Sequence, residues 1–158
     1  MAHGQEMKAV FRAFLTGAGG SVSGHSYDTL PDNDDITLTV HGTADTYGDW
    51  VEVVSTVGSS NVWFVGLHIS APTVATDYKV DVGTGASGSE TRRATFPFAR
   101  TDTTAVSDAS SLQTLGLYYS LPFPIYIPNG TRLASREKVG ATAGAVNVVT
   151  EIASGLSA

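Results

Sequence analysis

The chain is predicted to be all-β, a sandwich of two packed sheets with about eight strands, and three observations predict it. Charged residues are 15% of the 158, against a usual quarter. Gly, Ser, Thr, Ala and Val fill the gap, a mixture suited to strands and turns. Short apolar runs alternate with polar residues at a period of two and are bounded by Gly, Pro, Asn and Asp. Helical spacing is clear only near the N-terminus. Short strands with no interleaved helices close into a barrel or a sandwich, and a jelly roll is the most economical arrangement. The length fits one domain with one core.

Taken in order, residues 4–16, GQEMKAVFRAFLT, place Met7, Val10, Phe11, Phe14 and Leu15 at i, i+3, i+4, i+7 and i+8, the spacing of a helix face. Gly17 is the stop. A short helix is expected here, with an extended arm through AVFRAFL as the alternative. Residues 17–35 read as a long loop, so residues 1–35 form an anchor segment and loop, and residues 36–158 the sandwich. In the body, ITLTV turns Ile36, Leu38 and Val40 inward, and DWVEVVS opposes Val51 and Val53 to Trp50, Glu52 and Val54. VWFVGLHIS puts Trp63, Val65, Leu67 and Ile69 on one face and Val62, Phe64, Gly66 and His68 on the other, both apolar enough for a central strand. DYKVDV turns Tyr78, Val80 and Val82 inward with Lys79 and Asp81 outward. TRRATFPFA, carrying Pro97, reads as an edge strand. Residues 100–116 are polar enough for a long surface connection. Residues 121–138, LPFPIYIPNGTRLASREK, read as a proline-rich edge strand, an Asn129-Gly130 turn and a returning strand with Arg132, Ala134 and Arg136 on one face. GAVNVVTEIAS closes the chain with Val146, Val148 and Ile152 aligned.

Charge and composition exclude several functions. A formal net charge of −6, with nine Lys and Arg scattered along the chain, argues against nucleic acid, whose phosphates need a basic surface. The absence of cysteine removes disulfides and thiolate metal sites. No apolar stretch approaches a membrane span and no signal-peptide pattern opens the chain, so neither a membrane nor a secretory role is expected.

Few constellations carry chemistry. Gly83, Gly85 and Gly88 fit the G-x-G-x-x-G formula after a predicted strand. That fingerprint works through the helix that follows it, and SETRRATFPFA with Pro97 is no helix, so a sharp inter-strand turn is expected instead. Asp28, Asp32, Asp34 and Asp35 gather oxygen ligands but lack the glycine and closing glutamate of a calcium loop. Asp81 and Glu90 flank the glycine loop and would act as an acid–base pair only if the fold brought them together. His3, His25, His41 and His68 share no ligand spacing. No metal, cofactor or catalytic residue is therefore expected. Tyr118, Tyr119 and Tyr126 adjoin the segment bearing Arg132 and Arg136, and Tyr with Arg is the composition of a protein contact. Met7, Val10, Phe11 and Phe14 would be an aggregation liability unless buried against a neighbour. A third possibility for the aromatics, Trp50 among them, is a sugar-stacking platform.

The succession DWVEVVS, VGLHIS, VDVGTGASGSE and LPFPIYIPNGTRLASR, over residues 49–137, resembles small structural proteins of tailed bacteriophages. The resemblance implies a non-enzymatic virion component, a jelly-roll decoration or cement protein bound to the major capsid protein, self-associating as a homotrimer and assembled in the host cytoplasm. A tail, baseplate or host-binding fibre role, or a carbohydrate-binding module, is the alternative.

Overall fold

The computed structural model describes residues 26–31, 35–57, 62–70, 72–100 and 117–154. The expected N-terminal helix, with Met7, Val10, Phe11 and Phe14, and the connection through residues 101–116 lie outside the described residues. Nine strands lie among the described residues: β1 Ser26–Leu30, β2 Ile36–Thr39, β3 Val51–Val54, β4 Val62–Ser70, β5 Asp77–Thr84, β6 Thr91–Ala99, β7 Leu117–Ile127, β8 Leu133–Val139 and β9 Ala145–Ser154. No helix occurs among the described residues. The strands form two antiparallel sheets, β1-β9-β4-β7 with β2 also on β9, and β3-β8-β5-β6. β1 and β2 share the free edge of β9, β1 along 150–154 and β2 along 145–148. β1 was not foreseen, because SYDTL sits inside a run of Gly, Ser and Asp that reads as loop.

The pairing of the other eight strands defines the topology. β2 pairs β9, β3 pairs β8, β4 pairs β7 and β5 pairs β6. First with last, second with seventh, and so inward, this is one long antiparallel hairpin rolled so that alternate pairs fall in opposite sheets. That is a jelly roll. Its core is the set of inward residues from both sheets, among them Leu38, Phe64, Leu67 and Ile69 against Tyr78, Val80, Val82, Leu133 and Val139. Phe64 meets Phe96 edge-on across the sandwich at 6.0 Å, and Tyr78 stacks on Phe98 at 4.9 Å.

Alternation predicts the inward faces of β2, β5 and β9 correctly and fails on β4. Register shifts between Phe64 and Gly66 against both neighbours, which leaves Val65 as an extra residue. The inward set becomes Val62, Phe64, Leu67 and Ile69, and Trp63 turns outward. A bulge of one residue exchanges the faces beyond it. β7 answers with a larger excursion, since Ile125 pairs Phe64 and Ser120 pairs Gly66, leaving residues 121–124, LPFP, outside the ladder. β7 is an edge strand, as its prolines require.

The Asn129-Gly130 turn is not a hairpin turn. Pro128 O accepts from Thr131 N–H at 3.2 Å, and of the two central residues only the second, Gly130 (φ 76°), has a positive φ, whereas the two-residue hairpin turns need a positive φ at the first. The chain instead crosses from one sheet to the other, and β8 lies between β3 and β5 rather than beside β7. The glycine loop behaves as expected. Gly85 (φ 132°) and Gly88 (φ 79°) shape the β5–β6 hairpin, Ala86 O accepts from Ser89 N–H at 2.9 Å, and a strand follows.

Candidate functional site

Because residues 128–132 carry the chain between sheets, Tyr118 and Tyr126 and the two arginines lie on opposite sides of the molecule, where adjacency was expected. Tyr126, paired with Trp63, and Tyr118, paired with His68, stand on the outer face of the five-stranded sheet. Tyr119 takes the other side of β7. It packs against the core and the Phe96 ring at 5.5 Å, and its hydroxyl donates to Pro97 O at 2.8 Å, tying the edge of one sheet to the edge of the other. Burial raises its phenol pKa above the ordinary value. Arg132 and Arg136 stand on the outer face of the four-stranded sheet, as alternation along β8 predicts.

On that outer face Asp81 collects a dense polar network. The strand register sets Thr95, Asp81 and Arg136 in one row across β6, β5 and β8. Asp81, 0% exposed, accepts from Thr95 Oγ1 at 2.6 Å, Tyr47 Oη at 3.3 Å, and Arg136 Nε and Nη2 at 3.2 and 3.1 Å. The Arg136 guanidinium lies over the Tyr47 ring at 4.1 Å and the Trp50 ring at 4.4 Å, so its plane is held by two cation–π contacts and by one carboxylate oxygen, Asp81 Oδ2, that accepts from both Nε and Nη2. Trp50 is seated by Gly83, where a Cβ would come within 2.6 Å of the indole. Beside this cluster Arg132 bridges Glu52 at 2.8 Å and Glu90 at 2.5 Å. Burial works to raise the Glu90 pKa, but hydrogen bonds from backbone N–H groups and Arg132 outweigh it and hold the carboxyl below its ordinary range. Asp81 and Glu90 thus belong to separate ion-pair networks, each with its own arginine, and not to an acid–base pair.

The other outer face has a different character. The five strands SYDTL, ITLT, VWFVGLHIS, LYYSLPFPIYI and AVNVVTEIAS contain no Lys or Arg. Trp63 and Tyr126 meet edge-on at 5.3 Å. The Tyr118 hydroxyl lies over Gly66, where a Cβ would stand 2.5 Å from it and 2.9 Å from Tyr119 O. Glu151, the β9 partner of Gly66, is 8% exposed and bonds the Tyr118 side chain; burial still pushes its carboxyl up to about 7. Gly66→Ala should therefore lower stability by about 1–3 kcal/mol and displace the Tyr118 ring. Thermal unfolding and the Tyr118 NMR signals check this, and a variant matching the native protein in both would refute the contact.

At the margin of this face the LPFP excursion holds Phe123 in solvent, 79% exposed, with Leu117 and Tyr118 also exposed nearby along β7. Prolines on either side of Phe123 restrict its backbone. Sequence alternation placed Phe123 in line with Leu121, Ile125 and Ile127. The Pro-Phe-Pro pattern was the signal that this stretch leaves the ladder.

Of the remaining candidates, Asp35 accepts from Asn147 Nδ2 at 2.8 Å, and Asp32 and Asp34 lie outside the described residues. His41 is exposed, His68 half-buried, and no group of three or more His, Asp or Glu able to hold a metal occurs among the described residues.

Comparisons with protein-family models and with curated protein sequences find no match. Among solved structures the chain is similar to one in the structure of infectious bursal disease virus Gx strain, at 13% sequence identity and a TM-score of 0.33. The likeness covers 82% of this chain and 36% of that one, so the chain spans little more than a third of that protein's length.

Proposed function

We propose that this chain is a non-enzymatic structural protein of a tailed-phage virion, a decoration or cement subunit that binds the major capsid protein and self-associates as a trimer. The observation that carries the reading is Phe123. A large aromatic ring at 79% exposure, on a proline-clamped excursion of an edge strand that also exposes Leu117 and Tyr118 further along, is surface a soluble monomer does not favour and a neighbour would cover. The resemblance over residues 49–137 and the jelly-roll pairing support the same reading. The proposal assigns the chain no reaction and no cofactor.

Phe123→Asp should reduce attachment to undecorated shells by about tenfold to a hundredfold, as loss of a central aromatic anchor does, with no fall in melting temperature. Full occupancy by this variant would remove the β7 edge from the contact. Deleting residues 1–16 should abolish attachment while the sandwich still folds. Position on the particle follows from copy number in purified virions: hundreds of copies place the chain on the shell, a few dozen or fewer move it to the tail, baseplate or a fibre, and none overturns the virion reading.

A further inference from the structure

We propose that Asn129 is a modification site, an asparagine that deamidates through a cyclic imide with Gly130, and that the fold restrains this reaction by tying Gly130 to Val57. The site is independent of the virion reading, and its test uses no particle.

The chain has four asparagines, Asn33, Asn61, Asn129 and Asn147, and only Asn129 precedes a glycine. In the reaction the backbone nitrogen of Gly130 attacks the side-chain carbonyl carbon, Cγ, of Asn129. The new N–Cγ bond closes a five-membered ring, the amide proton passes to water, and the side-chain nitrogen takes up a proton and leaves as ammonia. Water then opens the ring at either carbonyl. Opening at Cγ leaves aspartate, and opening at the backbone carbonyl leaves isoaspartate, whose main chain runs through Cγ. Water is the only co-reactant. Glycine suits the step because it sets no Cβ beside the attacking nitrogen.

Solvent reaches the site. Asn129 and Gly130 are both exposed, and a Cβ built on Gly130 would meet no atom within 4 Å. The backbone, however, is fastened. Gly130 N–H donates to Val57 O at 3.2 Å, Val57 N–H donates to Thr131 O at 2.8 Å, and Thr131 N–H closes the turn on Pro128 O at 3.2 Å. Val57 is fully buried and belongs to the core, so the turn is tied to the interior of the sandwich rather than to another loop. The proton that must leave Gly130 is the one held by Val57 O, and the planar peptide that must swing toward Cγ is fixed by the same bond. Ring closure therefore starts from a locally open turn, and its rate scales with how often that turn opens.

Modification in the open state marks the chain permanently. Isoaspartate adds one atom to the backbone between Pro128 and Gly130, and the bonds to Val57 and across the turn are matched to the native length. The crossing from β7 to β8 is then left less firmly held.

The test is incubation of the full chain in neutral buffer and in urea above its unfolding midpoint, with each asparagine followed by peptide mass spectrometry. In urea, Asn129 should convert ahead of the other three. The native chain should convert at least about tenfold more slowly, the factor that about 1.4 kcal/mol of local opening produces, and hydrogen exchange of the Gly130 amide should be slowed by the same factor. The isoaspartyl chain, returned to native buffer, should melt below the unmodified protein. No conversion at Asn129 in urea would overturn the site. Equal rates in the folded and unfolded chain, or a slowing that Gly130 exchange does not share, would overturn the restraint by Val57. An isoaspartyl chain that melts with the native protein would overturn the weakening of the crossing.

Discussion

Raising the pH from 5 to 8 should cost this protein about 5 kcal/mol of folding stability, with urea unfolding midpoints highest at or below about pH 5. Two glutamates cause it. Glu137 points inward from β8, is 1% exposed, and neither of its carboxyl oxygens has a partner; burial pushes its pKa from 4.5 up to about 7. Glu151 reaches about 7 for the same reason, against the opposing bond from Tyr118. Between pH 4.5 and 7 the unfolded chain has released both protons and the folded chain retains them. The folded state then binds more protons, and stability falls as pH rises. Below 4.5 the two groups cost nothing; above about 7 their full penalty is present. At 1.36 kcal/mol per pKa unit, each contributes about 3 kcal/mol, together a large share of the total stability of a domain this size. On the acid side Glu90 acts with opposite sign, because its folded pKa is depressed and its contribution is lost as pH falls below about 4.5. Glu137→Gln should remove about half of the alkaline loss and make the variant more stable than the native protein at pH 8. A flat profile between pH 5 and 8, or an unchanged slope in the variant, would contradict the assignment.

The two glutamates also mark where the sequence stops being legible. The alternation that puts Leu133 and Val139 in the core puts Ser135 and Glu137 there as well. Read alone, LASREKV offers two faces of similar polarity, and only Leu133 and Val139 at its ends favour the right one. Strands with a clean period, such as ITLT and DYKVDV, were legible because one face holds every large apolar side chain. β4 was not, because VWFVGLHIS is apolar on both faces and no local signal marks Val65 as the bulge. The proline-bearing edges, β6 and β7, were legible for a simple reason: a residue without an N–H cannot serve two neighbours. The partner of β7 was not, because Pro-Asn-Gly supports both a hairpin and a crossing between sheets, and the choice is made by the pairing of β4 with β7 and of β3 and β5 with β8. The site followed these errors. Arg132 and Arg136 were placed on the correct side of β8, but the tyrosines went to the far sheet with the strand that carries them. Trp63 is one of the aromatics that could build a platform, but which of them share a face with it, and that Glu151 is buried on that face, depends on a register three strands wide.

Replacing Asp81 by Ala should destabilise the fold by about 2–4 kcal/mol, the second-largest effect expected. The carboxylate is fully buried on the outer face only because Tyr47, Thr95 and Arg136 cover it, and all three donate to it. Its removal leaves a guanidinium, three-quarters buried between two rings, without a counter-charge, and breaking a buried pair from one side costs far more than the pair is worth. Asp81→Asn keeps the shape and can still accept from Thr95, so about half that loss is expected. Arg136→Met in the Asp81→Ala background should recover stability relative to Asp81→Ala alone, since an apolar chain can occupy the space between Tyr47 and Trp50 without a charge to solvate. Melting temperatures of the three variants decide the matter: Asp81→Ala within 0.5 kcal/mol of the native protein, or no recovery in the double variant, would mean that the network is solvated and contributes little. The same variants separate two roles for this face. A surface that binds a partner through the stacked Arg136 loses attachment in Asp81→Asn, where the fold survives but the guanidinium is no longer held in place, whereas a purely structural network loses stability and keeps attachment.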